Sequence, residues 1–123
     1  MTNLAAARNG YASSSTPTRS HKSIEYDFLA RITRRLKLAE DGGASDFPAL
    51  VSALHDNKRL WNVFAIDVAD PENKLPEALR AQLFYLAEFT HAHTRQVLAR
   101  KANAGPLIDV NMAILRGLCG STG

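Results

Sequence analysis

Asn57-Lys58-Arg59-Leu60-Trp61-Asn62-Val63-Phe64-Ala65-Ile66-Asp67-Val68 holds the one tryptophan of this 123-residue chain. It reads as the second half of an amphipathic helix that starts near Asp46. Phe47, Leu50, Leu54, Trp61, Phe64 and Val68 share one helical face, because residues three or four apart stack along a helix. Leu60, Val63 and Ile66 fall off that stripe. The end of this helix is therefore apolar on more than one side, which predicts neighbours on both. Asp46 suits the N-cap, and Pro48 suits the first turn, where a missing N–H costs nothing. Asp70-Pro71-Glu72-Asn73-Lys74 has turn chemistry and stops the helix near Val68 or Ala69.

Upstream, residues 20–40 read as a second helix. Ile24, Phe28, Ile32, Leu36 and Ala39 recur every three or four residues, and Arg31, Arg34, Arg35 and Lys37 fall largely off that face. Ser20 or Ser23 suits its start, and Asp41-Gly42-Gly43 its end. Residues 1–19 are expected to form a flexible segment. Its Ala-rich piece Leu4-Ala5-Ala6-Ala7-Arg8 has the makings of a short helix, broken by Gly10 and the Ser13–Thr18 run.

Downstream, Pro76 suits a first helical position and Glu77 the positive end of a helix dipole. This helix is expected to reach Lys101 or Asn103. Leu79, Leu83, Leu86, Thr90, His93 and Val97 make its main stripe, and Phe84 and Leu98 lie together on a different side. The second patch predicts either a helix packed on two sides or a face open to a partner. Gly105-Pro106 restarts the chain into a last helix ending near Leu118, with residues 119–123 a frayed tail. No stretch alternates as a strand does. The prediction is an all-α, single-domain bundle of four main helices over residues 20–118, with a possible short N-terminal helix.

Bulk composition narrows the function classes. No apolar run of about 18 residues exists, so no membrane span is expected. The first ten residues lack the apolar stretch of a secretory leader, and a single cysteine cannot form an internal disulfide, which fits a cytoplasmic protein. The formal charge of +3 is uneven: the segment through Lys37 carries +5 and the remainder −2. A basic front suits RNA or an acidic partner, although a solvated helix face is the plainer reading.

No catalytic, cofactor or metal site emerges. His91 and His93, two apart on a helix, diverge by about 200° and cannot grip one metal. His55-Asp56 has no nucleophile near it in sequence, and no Gly-rich loop joins a strand to a helix. Cys119 lies near the frayed end with Arg116 about one turn away, which is thin support for a reactive thiol. Trp61 and Phe64 read as core, with interface anchoring as the other use of such aromatics. Lys58 and Arg59 flank that core face. Asn111, set among Ile108, Val110 and Leu115, needs a partner if buried: a neighbouring helix end or a bound peptide. The residues alone point to a helical binding module.

Three stretches together resemble the flagellar biosynthesis regulator family FlaF, of alphaproteobacterial type. Asn57-Lys58-Arg59-Leu60-Trp61 is similar to its Asn-basic-Arg-Leu-Trp motif. Leu75-Pro76 with Leu79-Arg80 is similar to its Leu-Pro-x-x-Leu-Arg element. Leu107-Ile108-Asp109-Val110-Asn111, then Ile114 and Gly117-Leu118, resembles its closing pattern. Ile24-Glu25-Tyr26 and the region of Tyr11 also fit. Val110 stands where the family usually has Ile, and Glu72-Asn73-Lys74 lengthens the loop before Leu75.

The resemblance implies a cytoplasmic protein without catalytic residues, needed for flagellin production or export. It would act as a chaperone-like partner of flagellin, in a pathway with the translational regulator FlbT. It also implies a ligand: the terminal amphipathic segments of flagellin, which lack order before assembly. The expected binding groove uses Phe84 and Leu98, bordered by Tyr26 and the Arg31/Arg35 ridge, while Trp61, Phe64, Leu79, Leu83 and Asn111 carry the core and the motifs. The other readings are an RNA-associated regulator of flagellin message acting through the basic helix, and an adaptor with FlbT. The lack of aromatics between Arg31, Arg34 and Arg35 makes RNA the weaker partner.

Overall fold

Helix-forming periodicity governs the whole described chain. The structure, a computed structural model, describes the backbone of residues 21–122 and the side chains of residues 26–117. The segment 1–19, the Ser20 cap and the side chains of Ser23, Ile24, Glu25, Leu118 and Cys119 lie outside the described residues. Four α-helices follow: α1 His21–Asp41, α2 Phe47–Ala69, α3 Glu77–Leu98 and α4 Gly105–Thr122, with a 3-10 helix Gly43–Asp46 between the first two. No strand occurs among the described residues. The protein is all-α, as the periodicity predicts.

α2 is the middle of the packing. It lies against α1 on one side and α3 on the other, and α1 in turn packs on α4. Two flanking helices explain the wide buried arc of α2: Leu50, Ala53, Leu54, Leu60, Trp61, Val63 and Val68 are all buried. Ile66, expected under cover, is 63% exposed. α1 also has two neighbours. Its buried arc therefore takes in Leu29 and Thr33 beside Ile32, Leu36 and Ala39, while Phe28 is only half-buried at the edge of the cluster.

The helix ends depart in part from what turn chemistry predicts. α1 stops as expected, with Gly42 N–H reaching Leu38 O at 3.1 Å and Gly43 at φ +73°, a conformation that glycine adopts at little cost. Asp46 does stand at the N-cap of α2 but makes no capping bond. Its carboxylate occupies the space where a Cβ on Gly42 would sit. Pro76 is the N-cap of α3, at φ −56° and ψ 146°, and not its first helical residue. The proline ring fits there because an N-cap N–H takes no part in the helical ladder.

α3 ends at Leu98, short of the expected Lys101 or Asn103. Arg100 adopts φ 61°, so its N–H bonds Val97 O and the N–H of Lys101 bonds Gln96 O, both at 2.9 Å. This left-handed reversal closes the helix without glycine. The strain is offset by the guanidinium of Arg100, which sits 4.1 Å from the centre of the Phe47 ring. The start of α4 is held by two side chains: Asn103 Oδ1 accepts the Gly105 N–H at 2.9 Å, and Glu40 Oε1 accepts the Ala104 N–H at 2.8 Å. A carboxylate suits the positive end of a helix. α4 then runs past Gly117 and Gly120 to Thr122, beyond the expected stop at Leu118. Interior glycine weakens a helix by about 1 kcal/mol but does not end it.

Candidate functional site

α3 is the outer helix, and its two halves differ. Its buried residues are Ala87, Thr90, Thr94 and Val97, none of them in the first ten residues. In the first half the expected core stripe comes to the surface. Leu79 is 40% exposed, and Leu83 and Leu86 are only half-buried. Leu75, just before the helix, is 39% exposed. The spacing of four and three residues places Leu79, Leu83 and Leu86 in one row, in line with buried Thr90 and Val97. None of Leu79, Leu83 and Leu86 belongs to the apolar cluster that joins α1, α2 and α4, to which α3 contributes Val97 and the edge of Phe89. The core stripe thus continues past the end of its cover.

Phe84 and Leu98 are each 44% exposed, and both lie off the buried row. They do not form one patch. About 21 Å of helix separates them at 1.5 Å per residue. Glu88, His91 and Arg95 share their side in between, as successive turns require. Phe84 points away from the leucine row as well, since none of those leucines lies three or four residues from it.

The other expected groove residues lie elsewhere. Tyr26 is half-buried against the central cluster. Arg31 is exposed. Arg35 is held by α2: Nη1 meets Asp56 Oδ2 at 2.7 Å and Nη2 donates to Ser52 Oγ at 3.0 Å. The main packing partners of α1 are α2 and α4, not α3. The arginine ridge therefore borders α2 and does not border Phe84 and Leu98.

The motif residues meet in the interior. The indole Nε1 of Trp61 donates to Asn111 Oδ1 at 2.9 Å, and Asn111 Nδ2 donates to Asn57 Oδ1 at 2.8 Å. All three side chains are fully buried. Phe64 meets Trp61 edge to face, with ring centres 5.2 Å apart. The partners of Asn111 are thus side chains in mid-helix, not a helix end. The Asn-x-x-x-Trp spacing places both groups on one face of α2, aimed at α4. The signal available in sequence was that pairing of a polar residue with a tryptophan one turn later; Asn57 was missed.

No chemistry centres on the histidines. His93 Nε2 lies 2.8 Å from the Asn103 carbonyl, and its ring stacks on Phe89 at 5.5 Å. His55 is exposed, and Asp56 beside it is bound to Arg35. No group of three or more metal-ligating side chains occurs among the described residues. No described helix is long and apolar enough to cross a membrane. Among the described residues, one feature the arrangement offers a partner is a row of partly exposed leucines on an outer helix.

The family model for flagellar protein FlaF matches residues 7–118. No curated protein and no solved structure matches the chain.

Proposed function

The chain belongs to the FlaF family of flagellar proteins, and from that premise we propose that it is a non-enzymatic flagellar regulator that binds a terminal amphipathic segment of flagellin. In this reading it acts in the cytoplasm as a chaperone-like partner that promotes flagellin production or export. An FlbT-type regulator is its second partner. The observation that carries the reading is the row Leu79, Leu83 and Leu86, continuous with the core stripe of α3 yet only partly covered, with exposed Leu75 just ahead of it. An amphipathic helix laid along it would extend the core by one element.

The magnitudes are suitable. A leucine about 40% exposed still offers on the order of 70 Å² of surface, or roughly 1.5 kcal/mol when covered at about 25 cal/mol per Å². Leu75 and Leu79 are exposed to that degree, and half-buried Leu83 and Leu86 add smaller areas, so the gross gain is a few kcal/mol, set against the ordering cost of a short disordered segment. Message binding through Arg31, Arg34 and Arg35 is less well supported, because Arg35 is already engaged by Asp56 and Ser52.

Calorimetry of the protein against flagellin, full-length and with either end removed, tests the reading. The expected result is binding that vanishes with one truncation, changes little between low and high salt, and carries a negative heat-capacity change. An absence of binding to full-length flagellin overturns it. A parallel titration with flagellin message tests the alternative: RNA affinity that falls steeply with salt, beside no flagellin binding, supports phosphate contacts by the basic helix.

A further inference from the structure

Three threonines are buried among the described residues: Thr33, Thr90 and Thr94. Thr33 and Thr94 each turn the hydroxyl back on their own helix, donating at 2.6 Å to the carbonyl four residues earlier. Thr90 does not. Its carbonyl accepts from Thr94, but its Oγ1 is inaccessible and meets no protein partner. Asn57 is in the same condition. Its Oδ1 accepts from Asn111, while its Nδ2 is inaccessible and bonds to nothing. Buried hydroxyls and amides are satisfied in nearly all proteins, because a dry polar group forfeits its hydration without return.

Counted along the two helices, the two groups fall at a similar height. α2 and α3 run antiparallel from the turn at residues 70–76, and Arg100 over Phe47 fixes the far end of the hairpin. At 1.5 Å per residue, Asn57 lies about 18 Å before the end of α2 and Thr90 about 20 Å into α3. Both residues are fully buried, and both belong to helices that pack on one another. About one turn from each is a buried alanine, Ala53 and Ala87. Unpartnered polar groups on two packed helices are what an internal water satisfies.

We propose that one water molecule is bound in the seam between α2 and α3, accepting a hydrogen bond from Asn57 Nδ2 and bonding Thr90 Oγ1. It extends the chain Trp61–Asn111–Asn57 to Thr90, so that one polar relay links α4, α2 and α3. Its remaining proton is free for a main-chain carbonyl of the seam.

Two measurements on the intact protein test this. In a high-resolution crystal structure, a solvent peak should lie within hydrogen-bond distance of both Asn57 Nδ2 and Thr90 Oγ1. In solution, the side-chain amide protons of Asn57 should show a cross-peak to a long-lived water. Thr90→Val, which keeps the shape but removes the hydroxyl, should abolish that cross-peak, and Thr90→Ser should keep it. The proposal is overturned if Thr90 Oγ1 bonds Asn57 directly or turns onto the Leu86 carbonyl. It is equally overturned if the wild-type amide shows no water contact, or if Thr90→Val leaves the contact unchanged.

Discussion

The indole N–H of Trp61 and the amide oxygen of Asn111 meet at 2.9 Å across 50 residues of sequence. Asn111 passes the interaction on to Asn57, so a single amide serves two residues of α2. Cutting Asn111→Ala leaves the indole N–H and Asn57 Oδ1 unpaired and opens a void. Unpaired buried groups cost about 1–3 kcal/mol each and the cavity adds to that, so a loss of about 3–4 kcal/mol is expected. Urea unfolding followed by tryptophan fluorescence measures it. A loss below about 1 kcal/mol would mean that the three side chains find other partners.

Glu40 acts at a distance from its own helix. Its carboxylate accepts the Ala104 N–H at the start of α4, so Glu40→Ala removes a charge-assisted bond and a favourable dipole contact. A loss of about 1–2 kcal/mol is expected, with faster hydrogen exchange at the Ala104 amide. Glu40→Gln keeps an acceptor and should lie between the two. Unchanged exchange at Ala104 in Glu40→Ala would dismiss the bond as a stabilising one.

At Arg100 two effects oppose each other. Glycine would relieve a left-handed strain of about 1 kcal/mol but lose a cation–π contact worth about 0.5–1 kcal/mol. Arg100→Gly is therefore expected to be nearly neutral. Arg100→Ala keeps the strain and loses the contact with Phe47, for a net loss near 0.5–1 kcal/mol. Thermal melts of the two variants decide the matter; equal losses would show that the backbone conformation carries no cost.

For partner binding, Leu79→Glu and Leu83→Glu are expected to weaken flagellin binding at least tenfold while leaving the helical circular dichroism intact. Arg35→Ala should leave binding unchanged and cost at most about 1 kcal/mol, as half-exposed ion pairs do. Leu98→Glu, far from the leucine row, should bind normally. Full affinity in Leu79→Glu, or lost affinity in Leu98→Glu, would move the site away from the first half of α3.

Much of this fold was legible in periodicity. Helix number, the central place of the Trp61 helix and the turns at Gly42-Gly43 and residues 70–76 follow from spacing and turn chemistry. What was not legible depends on lengths and neighbours. Periodicity gives the apolar face of α3 but not how far its cover extends, so Leu79 was expected inside. Arg100 could not be foreseen as a helix stop, because its strain is relieved by Phe47, remote in sequence. The Phe84 and Leu98 pairing failed for a simpler reason: equal helical phase does not imply proximity when several turns lie between.

The bond between Glu40 and Ala104 closes a loop of 64 residues. Hairpins α1–α2 and α2–α3 need only short closures, so they can form early, whereas α4 must wait for the longest search in the chain. Interactions of α4 should accordingly be absent from the folding transition state, and their loss should hasten unfolding more than it slows folding. During synthesis the consequence is an interval in which Leu29 and Leu36 are shielded by α2 alone. The chain then displays an apolar flank of its own until the residues around Asn111 have been made.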